Sequence, residues 1–173
     1  DAGAAALLRR IPFSSTATVS LAYRRSDFPR PLEGFGFVVP AVERRRIMGV
    51  TYTSLKWRFR SPDPDLVLLR AVVGGPANQA LADAAPEEII AATRAELADI
   101  LGVTAAPLLA RAYRWVRGLP QYTVGHLERL AELEARLATR PGLYLAGGSY
   151  HGIGIGLCIQ SGYDAAERAL DIV

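Results

Sequence analysis

The placement of glycines near the end of this chain constrains its fold more than any other feature. From Gly142 to Leu170 the sequence reads GLYLAGGSYHGIGIGLCIQSGYDAAERAL. A short apolar run, Leu143-Tyr144-Leu145-Ala146, has strand length. Gly147 and Gly148 break it, and further glycines follow at 152, 154 and 156. A helical pattern comes next, with Cys158, Gly162, Ala165, Ala166 and Ala169 at spacings of three and four, so that small residues share one face. Glycine permits positive φ and close backbone approach. The first turn of a helix carries unpaired N–H groups and a partial positive charge. Strand, glycine loop and helix start together form a cradle for a phosphate or an electron-rich ring edge. The same pattern also describes a tight turn at a sheet edge, with glycines serving packing alone.

Composition narrows the class. The 173 residues are 50% hydrophobic, enough for a sizeable core, and the mean hydropathy of +0.16 excludes a disordered chain. Net charge is +3, carried by scattered arginines with Lys56 the only lysine. The densest basic run, Arg44-Arg45-Arg46, reads as a solvated turn. A nucleic-acid partner is not expected. One cysteine, Cys158, excludes an internal disulfide framework and a cysteine-built zinc site, and two histidines make a metal site a poor reading. No apolar run approaches the roughly 18 residues of a membrane span. Membrane contact is therefore at most peripheral, and a cytoplasmic location is expected. Asp1 opens the chain inside a helical pattern, so a fragment of a longer protein is expected.

In chain order, Ala2–Arg10 reads as the end of a helix stopped by Pro12. Thr16–Tyr23 is a strand with Val19, Leu21 and Tyr23 on one face and Thr18, Ser20 and Ala22 on the other. A loop to Glu33 and a short segment Gly34–Pro40 follow. Ile47–Trp57 is a second strand with imperfect alternation, and Ser61–Asp65 is a turn. Leu66–Val73, apolar nearly throughout, is a third and central strand. Pro86–Leu101 is a helix with Pro86, Glu87 and Glu88 in its first turn and Gly102 at its C-terminal cap. Its buried stripe comprises Ile89 or Ile90, Thr93, Leu97 and Leu101. Leu108–Val116 alternates as a fourth strand, Gly118–Tyr122 is a loop, and Thr123–Thr139 is an amphipathic helix. The order predicts an α+β fold: a mostly antiparallel sheet with helices on one side, plus the C-terminal strand-loop-helix.

Four segments carry a resemblance. GLYLAGGSYHGIGIGLCIQSG resembles the C-terminal flavin-contacting segment of protoporphyrinogen and coproporphyrinogen oxidases, which belong to the monoamine oxidase-like flavoproteins. Pro31–Pro40 (PLEGFGFVVP) resembles the family's PLEGFG loop, Gly49–Pro62 its next strand, and Trp115–His126 (WVRGLPQYTVGH) its W-x-x-x-x-PQ-x-x-x-GH segment. All four stand in the family's order. The resemblance implies FAD as cofactor, a porphyrinogen as substrate, oxygen as electron acceptor, and a role in haem biosynthesis. It implies that 1–140 is most of a substrate-binding domain and 141–173 the last piece of an FAD-binding domain. The family's N-terminal half, with its G-x-G-x-x-G fingerprint, is the implied partner, and the chain alone is expected to be inactive.

The same resemblance assigns residues. Ile153, Gly154 and Ile155 would offer backbone groups to the flavin, Gly147 and Gly148 would let the chain pass close to it, and Trp115 would stand near the ring. Trp57 would stack on the substrate, with Val38 and Ala22 as pocket walls. No catalytic acid–base pair is seen, which suits chemistry carried by a cofactor and equally suits a non-enzyme. His126 reads as a helix start, His151 as a loop residue able to tune the flavin, and Cys158 as a packed thiol. Separated from its partner the piece would expose an apolar face, so self-association is expected. Two rivals remain: a stand-alone tetrapyrrole-binding or interaction module without redox activity, and another amine-oxidase-like flavoprotein.

Overall fold

The computed structural model describes residues 1–61 and 63–170. They form two compact units: Ser14–Leu119, and Asp1–Phe13 together with Pro120 onward. Pro62, in the expected Ser61–Asp65 turn and at the end of the Gly49–Pro62 segment, lies outside the described residues, as does the tail of the 141–173 segment beyond 170.

The Ser14–Leu119 unit is built on a five-stranded sheet, ordered β2-β3-β4-β1-β5. The strands are β1 (Phe13–Arg24), β2 (Gly36–Val38), β3 (Ile47–Tyr52), β4 (Leu66–Gly74) and β5 (Leu109–Pro120). β4 holds the central place that its nearly continuous apolar sequence predicts. β1 pairs antiparallel with β4, from Thr16 opposite Gly74 to Arg24 opposite Leu66. β3 pairs with β4 on the other side and β2 with β3, both antiparallel. β5 runs against β1: Leu108 N–H donates to Ala22 O at 2.7 Å, and Arg117 N–H to Ser15 Oγ at 3.2 Å.

Alternation along these strands sorts side chains to two faces. Val19, Leu21 and Tyr23 of β1 and Val67, Leu69, Ala71 and Val73 of β4 are buried in one core. The helices α3 (Gln79–Asp83) and α4 (Pro86–Leu101) cover that face through Leu81, Ala82, Ile89, Ala92 and Leu97. The boundaries of α4 are those the sequence predicts. Gly102 ends it at φ 73, the left-handed conformation that glycine adopts at a helix C-terminus. Thr93 sits in the buried stripe because its hydroxyl donates to the Ile89 carbonyl at 2.8 Å, which satisfies a group that burial would otherwise penalise.

Three expectations change in this unit. The second strand ends at Tyr52, and Thr53–Lys56 makes a short helix, α2. Ser54 explains the change: its Oγ accepts the Leu68 N–H at 3.1 Å, so a side chain supplies what a continuing strand would have supplied to β4. The arginine run is no simple solvated turn. Arg45 pairs with Glu96 at 3.2 Å and with Asp99 at 2.5 Å, and the Arg46 N–H donates to Glu96 at 2.9 Å, which ties this loop to α4. The Gly118–Tyr122 loop is shorter than expected, because β5 continues to Pro120.

In the second unit, α1 (Ala2–Arg9) packs on α5 (His126–Leu137) through Ala4, Leu7, Leu130 and Leu133. α5 starts three residues later than expected, because Gly125 at φ 81 interrupts the backbone before it. Leu127 faces outward rather than into the core. The last helix, α6, spans Ile155–Leu170 and buries none of its residues among those described. Leu143–Ala146 forms no strand. A strand exists by pairing, and no described segment pairs with this one.

Burial raises the pKa of the Tyr23 and Tyr52 hydroxyls above their ordinary 10.0, against an opposing pull from Arg94 on Tyr23 and Arg30 on Tyr52. The folded state then holds its phenolic protons where the unfolded chain has lost them. Stability is therefore full below about pH 10 and falls as pH rises through that value. Denaturant titrations from pH 8 to 11 should show this decline, and Tyr23→Phe should flatten it.

Candidate functional site

The sheet of the Ser14–Leu119 unit has a second face, opposite the helices. Thr18 and Ser20 of β1, Leu68 and Arg70 of β4, and Tyr113 and Trp115 of β5 point there and help to line a cavity of about 520 Å³. Register explains the grouping: Ser20 stands opposite Arg70, and Ala22 opposite Leu68. Trp115 lies flat enough on this face for its Nε1–H to donate to Thr18 Oγ1 at 3.3 Å, and it remains half exposed. Arg60, from the segment after Trp57, reaches the same cavity. Among the described residues lining it there are two guanidinium groups and no carboxylate. An unbalanced pair of cations beside two aromatic rings suits a flat, acidic ligand.

The expected substrate residues do not converge on one spot. Trp57 does not line the cavity. Lys56 Nζ lies 4.6 Å and Arg60 5.1 Å from its ring centre, so cations flank it rather than core side chains. Ala22 shares the open face by its register but is buried. Val38 sits on the short edge strand β2, 84% exposed, and does not line the cavity. Arg60 and Arg70 went unassigned in the sequence. The signal for Arg70 was present, since it is the one charge inside LVLLRAVV. Arg60 lies in RFRSP, where nothing in the spacing marks it.

The glycine loop belongs to the other unit and is held by its backbone. The Gly147 N–H donates to Ser161 Oγ at 3.0 Å. Tyr122 O–H donates to the Gly148 carbonyl at 2.6 Å, and His126 Nε2 donates to the Tyr150 carbonyl at 2.9 Å. Tyr122 and His126 stack on one another, with centroids 4.1 Å apart and planes at 12°. So the QYTVGH segment supplies two rings that act together as a clamp on alternate carbonyls of the loop. His126 does start its helix, as expected, but this second task was not legible. Burial raises the Tyr150 pKa. His151 pairs on the surface with Glu134 at 3.0 Å. Cys158 is a packed thiol, with Sγ 3.6 Å from the Gly152 carbonyl.

At the tip of this loop Ile153 and Ile155 are exposed, and Ile155 opens α6. A Cβ on Gly147 would meet nothing within 4 Å, and one on Gly154 only a leucine methyl at 3.9 Å. The backbone there is open to a flat partner, with isoleucines on either side of Gly154. Gly147 adopts φ 114, which only glycine holds without strain. Of the small-residue face expected on α6, Cys158 and Ala165 are partly covered, while Gly162, Ala166 and Ala169 face out. These features fit a flavin laid against the loop.

Comparison with known proteins decides the family. The model of flavin-containing amine oxidoreductases matches residues 1–170. The chain belongs to that family. A coproporphyrinogen III oxidase of Bacillus subtilis is 33% identical over 94% of this chain and 35% of its own length. Protoporphyrinogen oxidase 2 of Arabidopsis thaliana is 28% identical over 94% of this chain and 32% of its own. Among solved structures, a candidate protoporphyrinogen oxidase from Exiguobacterium sp. 255-15 superposes with a TM-score of 0.79 at 35% identity, covering 94% of this chain and 36% of that one. The chain thus spans about a third of the length of the relatives it matches.

The clamp predicts a local effect. A hydrogen bond of this kind contributes about 1 kcal/mol. Tyr122→Phe should therefore speed amide exchange at residues 147–152 by roughly fivefold, with exchange in β1 and β4 unchanged, as read by hydrogen-exchange mass spectrometry.

Proposed function

We propose that this chain is the C-terminal part of an FAD-dependent porphyrinogen oxidase of haem biosynthesis, acting on coproporphyrinogen III or protoporphyrinogen IX with oxygen as electron acceptor. The acid-free cavity on the open sheet face carries this reading. It offers Trp115 and Tyr113 to the macrocycle, and Arg60 and Arg70 to its carboxylates. The names of the similar proteins support the same substrate class.

In this reading Trp57 is the stacking ring for the substrate, while Val38 and Ala22, the other expected wall residues, lie outside the cavity. On the glycine loop Gly147, Gly148, Ile153, Gly154 and Ile155 would contact the flavin, and Trp115, in the sheet unit, is assigned to it by the resemblance alone. The flavin, when bound, supplies the hydride acceptor. The chain's own residues bind and orient: the glycine backbone admits the ring, the isoleucines exclude water, and the Tyr122–His126 clamp fixes the loop. Residues 1–140 then act mainly as substrate domain and 141–173 as the end of the FAD-binding domain.

The N-terminal part of the longer protein is the implied partner. It would cover α6 and the exposed apolar side chains Ile155, Leu157 and Ile159. Without that cover the chain is expected to self-associate. No described helix is long and apolar enough to cross a membrane. The proposal keeps the protein in the cytoplasm with membrane contact at most peripheral.

The decisive experiment is a flavin absorbance spectrum of the chain alone and of the chain combined with the N-terminal part. Yellow colour and porphyrinogen oxidation only in the combination support the split flavoenzyme. No flavin in either sample, with tight porphyrin binding by this chain alone, points instead to a tetrapyrrole-binding module. Within the assembled protein, Arg70→Gln should weaken porphyrin binding by about tenfold, the scale of one charge-assisted contact, as read by fluorescence quenching.

A further inference from the structure

Arg129 is a buried charge that nothing described balances. Its side chain lies in the first turn of α5 and the residue is 8% exposed. Its Nε makes no hydrogen bond. One terminal nitrogen reaches His126 Nδ1 and the other Thr123 Oγ1, neither of them a carboxylate and both at 3.5 Å, the outer limit of a hydrogen bond.

The carboxylates nearest in sequence are engaged or turned away. Glu132 pairs with Arg136, and Glu134 with His151. Glu128 is adjacent in sequence, and adjacent residues on a helix do not face each other.

Helix polarity makes the imbalance worse. The first turn of α5 carries its own partial positive charge, and Gly125 at the cap offers no side chain to its free N–H groups. The guanidinium folds back toward Thr123, which precedes the helix, so it adds its charge to the same end. A desolvated cation without a partner is among the costlier features a fold can carry. The chain beside it is open, with Val124 fully exposed.

We propose that the N-terminus of α5, with Arg129 as counter-charge, is an oxyanion-binding site filled from outside this chain's described residues. Helix N–H groups, the Thr123 hydroxyl and the guanidinium together match a phosphate or carboxylate oxygen. The oxygen comes either from a free or cofactor-borne phosphate or from an acidic side chain in the N-terminal part of the longer protein. The site stands on Arg129 and α5 alone and does not require the porphyrinogen reading.

The test uses inorganic pyrophosphate as probe and reads calorimetric binding and thermal unfolding. Wild type, Arg129→Met and Arg129→Lys are compared in this chain and in the longer protein. In the chain alone, Arg129→Met should be at least as stable as wild type, because it removes an unpaired buried charge. Pyrophosphate binding by wild type, weakened at least tenfold in Arg129→Met and less in Arg129→Lys, assigns a phosphate. No pyrophosphate binding, with Arg129→Met stabilising the chain but lowering the melting temperature of the longer protein, assigns a carboxylate. If Arg129→Met destabilises both forms alike, or unfolds the chain outright, and pyrophosphate has no effect, the guanidinium is structural and the proposal is overturned.

Discussion

The pairing of β1 with β4 is the interaction on which the Ser14–Leu119 unit depends. It runs over nine residue pairs, from Thr16–Gly74 to Arg24–Leu66. Through strict alternation it makes two surfaces at once. One receives Leu21, Tyr23, Leu69 and Val73 and is sealed by α4. The other receives Thr18, Ser20, Leu68 and Arg70 and stays open. A slip of one residue would exchange these sets and bury Arg70 under α4. The apolar core therefore fixes the chemistry of the opposite face, because satisfying the first set leaves no freedom for the second.

What was legible in the sequence follows from range. The bounds of α4 were readable because proline, two glutamates and a terminal glycine act within a turn or two of the backbone they govern. The centrality of β4 was readable because a strand covered on both edges, and packed on one face, tolerates a run that is apolar but for Arg70. The end of β3 at Tyr52 was not readable, since it depends on Ser54 meeting Leu68, fourteen residues away. The arginine run was misjudged for the same reason: Arg45 finds Glu96 and Asp99 only once the loop and α4 are folded.

The site shows the same division. Glycines 147 and 154 advertise an open backbone locally, and the structure leaves them open. The rings that hold this loop lie more than twenty residues earlier, in a segment that sequence treats only as a signature. Nothing local to Tyr122 states that it donates to Gly148, and nothing local to Arg129 states that it lacks a carboxylate. Long-range pairing, and its absence, become visible only in three dimensions. The strand-like run Leu143–Ala146 is the converse case, because its apolar pattern asks for a neighbour and no described segment answers.

The clamp on the glycine loop grips carbonyl oxygens, at Gly148 and Tyr150, and not side chains. Every residue type carries a carbonyl. The position of the loop is thereby insulated from what its side chains are. Ser149, which stands between the two gripped residues, is free to drift or to be retuned for a different bound molecule without moving the backbone that presents it. One scaffold of two stacked rings can thus hold loops of different surface chemistry, because Tyr122 and His126 grip the backbone and make no demand on the side chains between.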